Sequence, residues 1–114
     1  MVTLEPLVCV GPVTYRGHEA IARDIANLTA ALERQPYQEA FLPAVAPSGL
    51  GFMAGSSEAA NEHYPSYPEY VFAVADALHE EYRAIVDAGF LLQVDDPFLT
   101  DILGRPRARI HGQI

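Results

Sequence analysis

The chain contains no lysine and no tryptophan, and its only cysteine is Cys9. All seven basic residues are arginines, against fifteen acidic ones, for a net charge of -8. Three of these, Arg105, Arg107 and Arg109, stand in the last ten residues, so the body before them is more acidic than the total. An acidic body without a basic stripe argues against a nucleic-acid partner, because neutralising phosphates takes clustered cations. The run "GRPRAR" reads as a solvated end. A single cysteine excludes an intrachain disulfide framework. No apolar run approaches the roughly 20 residues of a membrane helix, and no stretch resembles a signal peptide, so a cytoplasmic protein without a membrane partner is expected. Internal repeats, low-complexity tracts, glycine-rich phosphate loops and Ser-His-Asp patterns are also missing.

What is present is apolar. Half of the 114 residues are hydrophobic, enough for a core and too many for a disordered chain. That length fits one small domain or a piece of a larger one. "LEPLVCV", residues 4–10, reads as a buried strand stopped by Gly11 and Pro12. Residues 18–34 carry Ile21, Ile25, Leu28 and Leu32 at helical spacing, and Pro36 closes the segment. "EAFLPAVAP", 39–47, is a second strand with Pro43 inside it. Residues 48–65 form a long Gly-, Ser- and Ala-rich loop, of a length that is more often functional than idle.

Residues 66–89 are the clearest helix. Ser66 and Glu69 have capping-box spacing and Pro68 sits in the first turn. Val71, Val74, Leu78, Tyr82 and Ile85 form the expected buried stripe, and Gly89 is a suitable C-terminal stop. A third strand, 90–94, runs into Asp95, Asp96 and Pro97.

The order is β-α-β-loop-α-β. Strands alternating with amphipathic helices imply an α/β fold with parallel pairing. Strands apolar at nearly every position imply burial on both faces. In such folds sites form at the carboxyl ends of strands. Asp95 and Asp96 stand at one such end, Pro12 to Arg16 at another and Pro47 to Gly49 at a third. The acid pair suits a ligand site or a helix N-cap, and spacing alone leaves both open.

The stretches "FLPAVAPSG" and "NEHYPSYPEYVFAVADALHEEYRAIVDAGFLLQVDDPFLTD" resemble the catalytic barrel of the cobalamin-independent methionine synthase family. In that family a long helix and an "AG" turn lead to a strand ending in Q-[IVL]-D-[DE]-P, here Gln93-Val94-Asp95-Asp96-Pro97. The likeness covers most of residues 8–101 and is nearest to shorter, single-barrel members. It implies part of a (β/α)8 TIM barrel, about three βα units in one partial domain over 1–114, with 102–114 outside the likeness.

The family moves a methyl group from a methylated folate to the thiol of homocysteine, which zinc binds as thiolate. The resemblance gives Asp95 the substrate's amino group, and Asp101, six residues on, the same pocket. Asp96 is expected behind them as a supporting or capping carboxylate. The family's zinc ligands, a His-x-Cys pair, a Glu and a second Cys, follow the motif strand, and Ile114 comes before any of them. The expectation is therefore a barrel fragment that is inactive alone and binds no zinc, with self-association or a missing half-barrel as partner. Two other readings stay open: a non-catalytic α/β binding module or remnant, and a related barrel with thiol-transfer or lyase chemistry.

The remaining candidates read as structural. Cys9 lies in an apolar strand without a neighbouring histidine and is expected to be an inert buried thiol. His18 and His79 are expected to be solvated, and His111 idle. His63 sits in the long loop at the presumed site end. Tyr64, Tyr67 and Tyr70 edge a pocket or pack a helix.

Overall fold

The computed structural model describes residues 8–49 and 61–97. Most of the expected first strand, the centre of the long loop, Asp101 and the segment 102–114 lie outside them. The described chain is mixed α/β: helix α1 (His18–Leu32), strand β1 (Phe41–Val45), helix α2 (Tyr67–Asp87) and strand β2 (Leu91–Asp95).

Helix α1 starts at Gly17 with no side-chain cap, and its stripe turns Ile21 inward. Helix α2 is capped by the Ser66 side chain. The Glu69 amide donates to Ser66 Oγ at 3.3 Å, and the same hydroxyl donates to Glu69 Oε2 at 3.1 Å. The first bond satisfies an amide that the first helical turn leaves open, and the second ties the two capping side chains together. The helix buries Tyr70, Val74, Leu78 and Ile85. Val71, expected in that stripe, is half-buried, and Tyr70 takes the deeper position. Gly89 ends the element at φ +90°, a conformation that penalises any residue with a Cβ.

β1 and β2 pair in parallel, from Phe41 beside Leu91 to Val45 beside Asp95, with α2 as the crossover. The Leu91 amide donates to the Ala40 carbonyl, and the Ala46 amide donates to the Asp95 carbonyl. Even-numbered residues of β1 therefore direct their backbone groups toward β2. Pro43 is odd, so its missing N–H falls on the other edge and removes no bond from this pair. The outward carbonyl of Val45 accepts a 2.6 Å hydrogen bond from the Tyr82 hydroxyl on α2.

The core forms on the helix side of the sheet. Ile21, Ala44 and Ile85 make one cluster, backed by Leu42, Phe90 and Leu92. Tyr70, Val74 and Leu78 make a second, backed by Cys9, Val13 and Val45. The expected burial on both strand faces does not hold among the described residues. Phe41 and Leu91, register partners on the face away from the helices, are 54% and 53% exposed. Among the described residues helices cover one side of this sheet, and by the alternation of the strands Phe41 and Leu91 fall on the other.

The remnant of the first strand also departs from expectation. Cys9 bridges in parallel to Asn61, and the Glu62 amide donates to the Cys9 carbonyl at 2.9 Å. The described sheet contains β1 and β2 alone.

Candidate functional site

The carboxyl ends of β1 and β2 meet around Asp95 and Asp96. β2 runs one residue further than its apolar pattern, so Asp95 is the strand's last residue, paired with Val45. It shares the uncovered face with Leu91 and Gln93, by the alternation of the strand, and it is exposed. The backbone ladder holds it there, with its carbonyl receiving the Ala46 amide at 2.9 Å.

Asp96 is half-buried and faces the end of β1. Its Oδ2 accepts a hydrogen bond from Ser48 Oγ at 2.9 Å. Its Oδ1 is buried and has no hydrogen-bond partner among the described residues. Ser48 stands on a short helical stretch, 47–49, in which the Gly49 amide donates to the Ala46 carbonyl at 3.0 Å. Ala46 and Gly49 are both buried, which fixes this stretch against the sheet. Two of the three expected strand ends thus come together. The helix-cap alternative for the acids depends on 98–100, outside the described residues, as does Asp101.

The third expected strand end is placed elsewhere. The segment after Cys9 crosses α2, where the Val13 amide donates to the Tyr64 hydroxyl at 2.9 Å and the Tyr15 hydroxyl donates to Glu81 Oε1 at 3.0 Å. Burial, then the bond to Glu81 and the charges of Glu81, Glu80 and Asp24, push the Tyr15 hydroxyl up to about 12. An open apolar cleft of about 430 Å³ lies between this segment and α2, lined by Cys9, Val10, Val13, Tyr70, Val74 and Leu78. A cleft of about 480 Å³ touches Glu33, Tyr37, Ala40 and Leu91 at the opposite, amino ends of the strands. Neither cleft contains the aspartates.

The other candidates resolve simply. The Cys9 thiol donates to the Gly11 carbonyl at 3.2 Å and packs with the Tyr70 cluster, in a half-buried setting more open than expected. His18 is solvated, 3.6 Å from Glu80, and His79 is exposed. His63 is exposed and sets its ring edge-on to Tyr64 at 4.9 Å. Tyr64, Tyr67 and Tyr70 pack on one another, with ring centroids 6.1 Å apart in each neighbouring pair. Asn61 organises their turn, accepting from the Tyr64 amide and donating to the Tyr64 and Ser66 carbonyls.

In the sequence Ser48 stands out only as part of a strand end, and nothing local marks its link to Asp96, 48 residues away. Among the described residues no three His, Cys, Asp or Glu side chains converge to hold a metal ion. They do not build the zinc site that the resemblance implies. No helix among the described residues is long and apolar enough to cross a membrane. Compared with protein families, curated proteins and solved structures, the chain matches none.

Proposed function

We propose that this chain is a segment of a methionine synthase-like methyltransferase built on a (β/α)8 barrel. The observation that carries the reading is the position of Asp95 and Asp96 at the carboxyl end of a parallel β-α-β unit. Barrels of this class assemble their sites there, from side chains at several strand ends. A second observation supports it. Leu42, Ala44 and Leu92 meet the helices, while the opposite face offers Phe41 and Leu91 uncovered, as strands of an incomplete barrel interior would.

In this reading Asp95 receives the ammonium group of an amino-acid thiol through charge-assisted hydrogen bonds. Its carboxylate is exposed and has no ion-pair partner among the described residues. The same reading gives Asp101, outside the described residues, a part in substrate binding and makes Asp96 a supporting carboxylate. The complete enzyme would take homocysteine and a methylated folate, and the zinc of the family's reaction would be held by residues outside this chain. The partner is the rest of the barrel, and the setting is cytoplasmic.

The test is titration of the full chain with L-homocysteine and with its analogue lacking the amino group, followed by NMR. Binding is expected to require the amino group and to be lost in Asp95→Asn. Equal binding of both compounds, or full retention in the variant, removes Asp95 from this role.

A further inference from the structure

We infer that the outer edge of β2 pairs antiparallel with the same edge of a second copy of this chain. The hydrogen bonds of the sheet fix which groups face outward. The Leu91 amide donates to the Ala40 carbonyl, and the Asp95 carbonyl accepts from the Ala46 amide. Odd-numbered residues of β2 thus turn their backbone toward β1, and the amides and carbonyls of Leu92 and Val94 point away from it. Among the described residues the sheet has two strands, and no strand bonds to those groups. Backbone groups in that state are a template for a further strand.

The side chains mark the same margin. Ala44 and Val94 are register partners, and the alternation of the strands puts both on the helix side. Ala44 is 7% exposed, whereas Val94 is 49% exposed. The cover from the helices thins across the sheet and leaves its apolar row open at the outer side of β2. A strand added there would close it. β1 offers the poorer edge. Pro43 has no N–H to give on its outer side, and the outward Val45 carbonyl already accepts from Tyr82.

The occupant follows from the strands this chain has. Its sequence holds three strand runs, of which two are β1 and β2. The described end of the third, Cys9, bridges to Asn61 and not to β2. In the barrel reading this edge belongs to the barrel's next strand, which is not among the three; a second copy takes its place. Residues 90–94 carry no charge, so they can lie against themselves. An antiparallel copy brings its own Phe90 or Leu92 beside Val94 and keeps the two Asp95–Asp96 pairs at opposite ends of the interface. A parallel copy would stack the aspartates on one another, and like charges directly opposite are destabilising.

The experiment follows amide exchange by NMR, with sedimentation, on the full chain across a dilution series. In the concentrated sample the Leu92 and Val94 amides should be protected, and dilution to monomer should open both. The Leu91 and Ala46 amides, bonded within the sheet, should stay protected throughout. Val94→Pro removes an outward N–H and no bond between β1 and β2. It should weaken self-association about tenfold, as expected for edge hydrogen bonds lost from both copies. Should Val94→Pro not fold, Val94→Lys is the second variant; it sets a charge in the same margin and should weaken association likewise. A chain that stays monomeric at every concentration overturns the inference. So do Leu92 and Val94 amides equally protected in monomer and oligomer, which would put a strand of this chain on the edge. Oligomers in which both amides stay open, or which are unaffected by the variants, also overturn it and move the contact elsewhere.

Discussion

At the scale of single residues, the two adjacent aspartates have different surroundings. Among the described residues Asp95 is exposed and held through its backbone, whereas Asp96 is half-buried and bonded through its side chain. Removing the Asp95 charge should therefore leave stability within about 1 kcal/mol of the parent, as for most substitutions away from buried features. Urea unfolding of Asp95→Asn checks this, and a loss near 2 kcal/mol would give Asp95 a structural role instead. Tyr15 supplies a prediction in pH. Its folded pKa, about 12, lies above its ordinary 10.0, with burial the largest cause and Glu81 the next. Above pH 10 the unfolded chain releases this proton before the folded chain does, so folding stability falls as pH rises through 10 to 12. The contribution is whole below pH 10. Burial also raises Tyr70 and Tyr82 and adds to the same alkaline loss. Denaturation midpoints measured across that window should fall less steeply in Tyr15→Phe than in the parent.

At the scale of elements, α2 organises the unit. Its N-terminus is capped, its middle holds Tyr15 through Glu81, and Tyr82 ties it to the end of β1. Ser66→Ala removes the acceptor for the Glu69 amide and the donor to the Glu69 carboxylate, and should cost about 1 kcal/mol. Ser66→Asp should recover most of it, since either side chain accepts from the first turn. Chemical unfolding of the two variants measures the difference. Ile85, the only large side chain fully buried among the described residues, joins α2 to α1 and β1 in one cluster. Ile85→Ala should cost about 2–5 kcal/mol, the usual range for an emptied core position. A cost below 1 kcal/mol would show that the sheet and α1 do not depend on this contact.

At the scale of the molecule, the consequential feature is the sheet face that no described helix covers. Phe41 and Leu91 lie side by side on it, and Phe72 and Val86 add exposed apolar area on α2. Exposed apolar surface favours association. The barrel reading expects this face to find a second copy or the remaining barrel. Sedimentation of the purified chain at tens of micromolar should show species larger than a monomer, reduced in Phe41→Glu and Leu91→Lys. A single monomer boundary with cooperative unfolding would instead favour a module that stands alone.

The helices were legible because their signals are local. The spacing of Ile21, Ile25, Leu28 and Leu32, and the pair Ser66 and Glu69, lie within a few turns of the helices they define. Gly89 and Pro36 mark ends for equally local backbone reasons. Parallel pairing of β1 and β2 followed from a helix between two apolar runs, and the aspartates' place at a strand end followed with it. The covered face of the sheet was not legible, because the strands are apolar at nearly every position and alternation carries no sign. Packing chose Leu42, Ala44 and Leu92 for the core and left Phe41 and Leu91 outside. Pro43 reads as a defect until the pairing edge is known. Cys9 beside Asn61, Tyr15 on Glu81 and Ser48 on Asp96 join residues 48 or more positions apart. Such pairs are made only when tertiary packing closes the intervening chain, so they leave no periodicity or spacing to read.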